Sequence, residues 1–76
     1  MAYLGHCRVE VVRDPSGYYA VVQNGATGPT YEVYMDGTVL WWHTEHGLVK
    51  PDQSGSEMSH VRYYGRLALR HQGIGK

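Results

Sequence analysis

His60-Val61-Arg62-Tyr63-Tyr64-Gly65-Arg66-Leu67-Ala68-Leu69-Arg70 is the stretch that decides between two architectures. Read with the two-residue period of a strand, Val61, Tyr63, Leu67 and Leu69 share one side with Gly65, and His60, Arg62, Tyr64, Arg66, Ala68 and Arg70 share the other. Read with the helical period of about 3.6, Arg62, Arg66 and Arg70 form a polar stripe, and Met58, Val61, Tyr64, Ala68 and Leu69 lie across from it. Ser54-x-x-Glu57 would then be a capping box and Gly73 a C-cap. Gly65 is costly in either form. The alternation is unbroken over the eleven residues, so the strand is the preferred reading.

Working outward, two hairpins precede this segment. Cys7-Arg8-Val9-Glu10-Val11-Val12-Arg13 alternates apolar and polar residues, as a half-buried strand does. Asp14-Pro15-Ser16-Gly17 supplies a tight turn, with Pro15 presetting φ and Asp14 able to bond the turn backbone. Tyr18-Tyr19-Ala20-Val21-Val22-Gln23 returns. If Arg13 faces Tyr18, then Cys7, Val9, Val11, Tyr18, Ala20 and Val22 form a core face, with Arg8, Glu10, Val12, Tyr19 and Val21 opposite. Residues 24–30 read as an open loop, because Gly28-Pro29 interrupts any partner strand after Asn24-Gly25. In the second hairpin, Tyr31-Glu32-Val33-Tyr34-Met35 meets Thr38-Val39-Leu40-Trp41-Trp42-His43-Thr44 across Asp36-Gly37. A two-residue turn there places Met35 against Thr38, Val33 against Leu40 and Tyr31 against Trp42. Trp41, Tyr34, Glu32, Val39 and His43 then face outward. Leu48-Val49-Lys50 is at most a brief strand, and residues 51–59 a polar loop.

These elements predict an all-β fold, a five-stranded antiparallel sheet or partly open barrel of two hairpins plus the C-terminal strand. The alternative is α+β, a four-stranded antiparallel sheet with one C-terminal helix across it. The 76 residues form one domain of the size that buries only about 60% of its unfolded surface. Cys7 is the single cysteine, which excludes a disulfide within the monomer and fits a reducing compartment. The first residues show no basic segment leading into an apolar run, and no run approaches the roughly 20 residues that span a bilayer. A cytoplasmic protein with no membrane partner is expected.

Net charge is zero but uneven: residues 1–59 carry Arg8, Arg13 and Lys50 against seven acids, and from His60 onward Arg62, Arg66, Arg70 and Lys76 face none. Internal pairing of the two halves is the first explanation and an electrostatic partner the second.

Motifs for chemistry are sparse. His43-Thr44-Glu45-His46 has two histidines on opposite sides of a straight strand, with no third ligand implied, so no metal or other cofactor is expected. His6 and Cys7 are adjacent and point apart, which rules out a nucleophile–base pair. The tail from Arg70 to Lys76 resembles the R-x-x-G-x-G pyrophosphate loop of the GNAT acetyltransferases over six residues, but no helix follows to supply the phosphate cradle, and a frayed glycine tail is expected. No P-loop, triad or paired-carboxylate pattern is present, so the chain reads as a non-enzyme.

The aromatic doublets Tyr18-Tyr19, Trp41-Trp42 and Tyr63-Tyr64 each put one ring on each side of a strand. The outward set is Tyr19, Trp41 and Tyr64, joined by Tyr34 and flanked by Arg62, Arg66 and Arg70. Tyr, Trp and Arg are the residue types enriched at binding hot spots. The expected function is a protein-binding module, an accessory or inhibitory protein of the kind phages and mobile elements encode, docking on a larger protein or complex. The same surface could instead form a homodimer. The alternative is a single-stranded nucleic-acid binder that stacks bases on Tyr and Trp and neutralises phosphates with the arginines. The plainer explanation is that the rings cover one another and the arginine stems.

Overall fold

The computed structural model describes residues 2–4, 7–15, 17–43, 45–51 and 54–73, with residues 2–4 and 43 described in backbone only. The fold is α+β and mostly sheet. Strands β1 (Ala2–Leu4), β2 (Cys7–Asp14), β3 (Gly17–Asn24), β4 (Thr30–Val33), β5 (Val39–His43) and β6 (Gly47–Val49) precede one helix, α1 (Ser56–His71). The six strands form an antiparallel meander in sequence order, with β1 and β6 as edges rather than a closed barrel.

The mostly antiparallel sheet is as expected, and the C-terminal segment is a helix, as the α+β alternative has it and not the preferred strand. Two physical terms decide it. Arg66-Leu67-Ala68-Leu69-Arg70 is made of strong helix formers, and Ala and Arg gain little in a strand. A helix also lays a whole apolar stripe over the sheet: Met58, Val61, Gly65 and Leu69 are buried, and Tyr64 and Ala68 pack beside them. Opposite them lie the buried Cys7, Val9, Ala20, Val22, Tyr31, Val33 and Val39. Gly65 has its explanation here, since it is where the helix touches β4 at Val33.

The expected capping box does not form: Gly55 is the N-cap, with no side-chain cap bond. Glu57 instead reaches the sheet. Tyr31 Oη donates to Glu57 Oε2 at 2.9 Å, and Asn24 Nδ2 donates to the same oxygen at 3.2 Å. Burial and this bond push the Tyr31 phenol up to about 12. At the other end, the C-cap is Gln72 and not the expected Gly73, which follows it with positive φ and donates its N–H to the Arg70 carbonyl.

The β2–β3 hairpin has the expected register, Arg13 with Tyr18 and Val9 with Val22. Tyr18 lies on the core face but at the hairpin's tip, where it is exposed and carries the Arg13 guanidinium 5.9 Å from its ring centre. The loop after Asn24 is closer than the open loop expected: Asn24 N–H donates to the Pro29 carbonyl, Gln23 Nε2 donates to the Ala26 and Gly28 carbonyls, and β4 begins at Thr30. Strand β1 extends the sheet beyond the elements expected, and β6 is the brief strand expected near Leu48-Val49, beginning at Gly47.

The β4–β5 hairpin differs by one residue from the two-residue turn. Tyr31 pairs with Trp41, Glu32 with Leu40 and Val33 with Val39. The loop has three residues, Met35-Asp36-Gly37: Gly37 N–H donates to the Tyr34 carbonyl, and Tyr34 N–H donates to the Thr38 carbonyl, each at 2.9 Å. Gly37 has φ +95° and no non-glycine residue has positive φ among the described residues, so Asp36 does not adopt the conformation the two-residue turn demands. Asp36 Oδ1 accepts the Thr38 N–H at 2.9 Å, which keeps its carboxyl below the ordinary value. A one-residue slip exchanges the faces of β5. Trp41 turns inward against the core, and Trp42 turns outward. Among the described residues, no helix is long and apolar enough to cross a membrane.

Candidate functional site

The helix covers one side of the sheet. On the other, the registers align Val12 with Tyr19, Glu10 with Val21, Val21 with Glu32, Glu32 with Leu40, and Trp42 with Leu48. No element lies over this face among the described residues. Its centre is a carboxylate under rings. Tyr34 Oη donates to Glu32 Oε1 at 2.6 Å, and Trp42 Nε1 donates to Glu32 Oε2 at 3.0 Å. Tyr34 lies two residues from Glu32 on the same strand side, and Trp42 sits diagonally across on β5, so strand geometry brings both donors to one acceptor group. Tyr19 stacks on Tyr34, with ring centres 5.6 Å apart and planes 30° apart.

Glu32 is only 6% exposed although it lies on the open face. A carboxylate loses much of its hydration there, and two donated hydrogen bonds offset that loss. Burial and the bond to Glu32 push the Tyr34 phenol far above its ordinary value. Tyr19 moves the same way, through burial first and then the nearby charges of Glu32 and Asp14. With both oxygens engaged, Glu32 orients its rings and is not positioned as an acid or base toward a ligand. Trp42 remains 51% exposed and Leu48 beside it 39% exposed. Toward β2 the face continues into a shallow depression lined by Arg8, Glu10, Val21, Gln23 and Thr30. The result is a mainly apolar surface whose rings Tyr34 and Trp42 are hydrogen-bonded to Glu32.

Of the residues singled out from the sequence, Tyr19 and Tyr34 come together here. Trp41 is on the helix side, packed against the core. Tyr64 is on α1, partly buried against the same core, edge-on to Tyr63 and stacked on His60. Arg62, Arg66 and Arg70 line a depression on the helix with Ser59 and Tyr63. The rings and the arginines thus do not form one surface: the sheet lies between them. Sequence reasoning missed Trp42, Leu48 and Glu32. The signal was present in Met35-Asp36-Gly37, where a glycine at the third loop position also suits a three-residue loop.

Cys7 is buried, and its thiol donates to Asn24 Oδ1 at 3.8 Å. Burial, and then the charge of Glu57, push that thiol up, which makes it a poor nucleophile. His46 is in the turn between β5 and β6, and the His43 side chain and His6 lie outside the described residues. Comparison with known protein families, curated proteins and solved structures finds no match to this chain.

Proposed function

We propose that the chain is a non-enzymatic protein-binding module that docks on a larger protein through the uncovered sheet face. The observation that carries this reading is the exposure of Trp42 and Leu48 beside rings held in place by Glu32. Large apolar side chains left uncovered and pre-ordered are what an interface centre requires, because little rotamer freedom remains to be lost on binding. By strand alternation Glu10 and Asp14 fall on this face with Arg8, around the buried Glu32. The complementary partner therefore offers an apolar patch with a basic rim. Occlusion of that patch would make the module an accessory or inhibitory protein.

The test compares wild type with Leu48→Ser and Trp42→Ala as immobilised baits, alongside light scattering of each free protein. A partner retained by wild type and lost by both variants, with the variants still folded, supports the reading. Retention unaffected by either substitution overturns it. A wild-type dimer that becomes monomeric in Leu48→Ser would also overturn it, assigning the face to a second copy of the chain.

A further inference from the structure

We infer that the solvent side of α1 is a binding site for single-stranded nucleic acid, separate from the sheet face and independent of its function. Arg62, Arg66 and Arg70 recur every fourth residue, so they form one row with Cα atoms about 6 Å apart along the axis. That spacing suits neighbouring phosphates on one strand. Together with Ser59 and Tyr63 they line a single depression of about 210 Å³.

The row lacks compensation from its own helix. Like charges at this spacing repel, and Glu57, the helix's acid, is bonded to Tyr31 and Asn24 on the sheet side. Asp36, in the β4–β5 loop, is near the row, but its carboxyl is held mainly by Thr38 and least by Arg66. Arg62 is fixed beside that loop, with Nε donating to the Gly37 carbonyl at 2.8 Å. Among the described residues, Arg66 Nε is buried with no hydrogen-bond partner, whereas buried donors are ordinarily satisfied. A phosphate in the depression pairs with the guanidinium groups that line it, in the charge-assisted geometry that guanidinium favours.

Tyr63 distinguishes this ligand from a lone phosphate. It is 59% exposed, yet braced edge-on by Tyr64 with ring centres 5.3 Å apart. Tyr64 is in turn stacked on His60. An exposed, supported ring beside a row of arginines is the combination that binds unpaired strands, with the base on the ring and the backbone along the charges. A paired base has no free face to offer it.

The experiment is fluorescence anisotropy with a labelled mixed-sequence DNA single strand, titrated over a series of salt concentrations. Three phosphate contacts predict a slope of log K against log salt of about −2. Arg70→Gln should reduce the slope by about 0.7. Tyr63→Ala should weaken binding roughly fivefold or more at every salt concentration, leaving the slope unchanged. Both residues are exposed, so both variants should keep the wild-type melt. Trp42→Ala, on the other side of the molecule, should bind as wild type does. Absence of binding at low salt overturns the assignment, as does binding indifferent to Arg70→Gln and Tyr63→Ala. Inorganic polyphosphate bound as tightly as the strand, with Tyr63→Ala without effect, overturns it in favour of a bare anion site.

Discussion

Gly65 of α1 lies directly against Val33 of β4: a β-carbon at position 65 would stand 2.5 Å from Val33 Cβ. The obstacle is the branch point of a stiff side chain next to its backbone, so it cannot swing aside. This contact sets how closely the helix approaches the sheet, and so how well Val61 and Leu69 seal the core. Gly65→Ala should therefore destabilise the fold by about 1–3 kcal/mol, even though alanine is intrinsically better than glycine in a helix by about 1 kcal/mol. Urea unfolding checks this; a stabilised variant would mean that the helix sits further from β4.

The pairing of Glu32 with Tyr34 and Trp42 makes a second prediction. Tyr34→Phe keeps the ring but leaves Glu32 Oε1 without its donor, and should cost about 1–3 kcal/mol. Trp42→Phe should cost a similar amount through Oε2. In a Glu32→Leu background, where no carboxylate remains to be satisfied, Tyr34→Phe should cost much less. A double-mutant cycle reads the difference as a coupling energy; additive effects would show that the bonds contribute nothing.

The tyrosines also predict behaviour in base. The folded Tyr31 phenol holds its proton up to about 12 against an ordinary value of 10, and Tyr34 is raised further. The native state thus keeps protons that the unfolded chain releases. The associated stability is complete below pH 10 and is lost as pH rises through 12. Thermal melts from pH 9 to about pH 12 should fall, and Tyr31→Phe should flatten that fall. An unchanged profile in Tyr31→Phe would contradict the assignment.

The two tryptophans should separate by stability. Trp41→Ala removes a ring packed on the core and should cost about 3 kcal/mol or more. Leu48→Ser, on the exposed face, should stay within about 0.5 kcal/mol. Chemical denaturation of both variants, compared with wild type, checks this.

Much of the sheet was legible in the sequence, because Val9, Val11, Ala20 and Val22 alternate cleanly and Asp14-Pro15 specifies its turn. The helix was hidden by residues 60–70, whose apolar positions fit both periods. What separates them is non-local: the need of Val22, Val33 and Val39 for a cover, and the contact of Gly65 with Val33. The site was half legible for a comparable reason. Tyr19 and Tyr34 follow from strand alternation, whereas the choice between Trp41 and Trp42 rests on one extra loop residue at Met35-Asp36-Gly37. Glu32 gave no clear sign of burial, since one of its two donors, Trp42, comes from the next strand and depends on the same loop residue.

The central claim is that Trp42, not Trp41, stands on the uncovered face. Acrylamide quenching of the folded single-tryptophan variants Trp41→Phe and Trp42→Phe tests it most directly. The protein retaining Trp42 should emit at longer wavelength and be strongly quenched, and the protein retaining Trp41 should emit at shorter wavelength and be shielded. The reverse pattern would establish the two-residue turn at Asp36-Gly37, exchange the faces of β5 and remove the proposed docking surface.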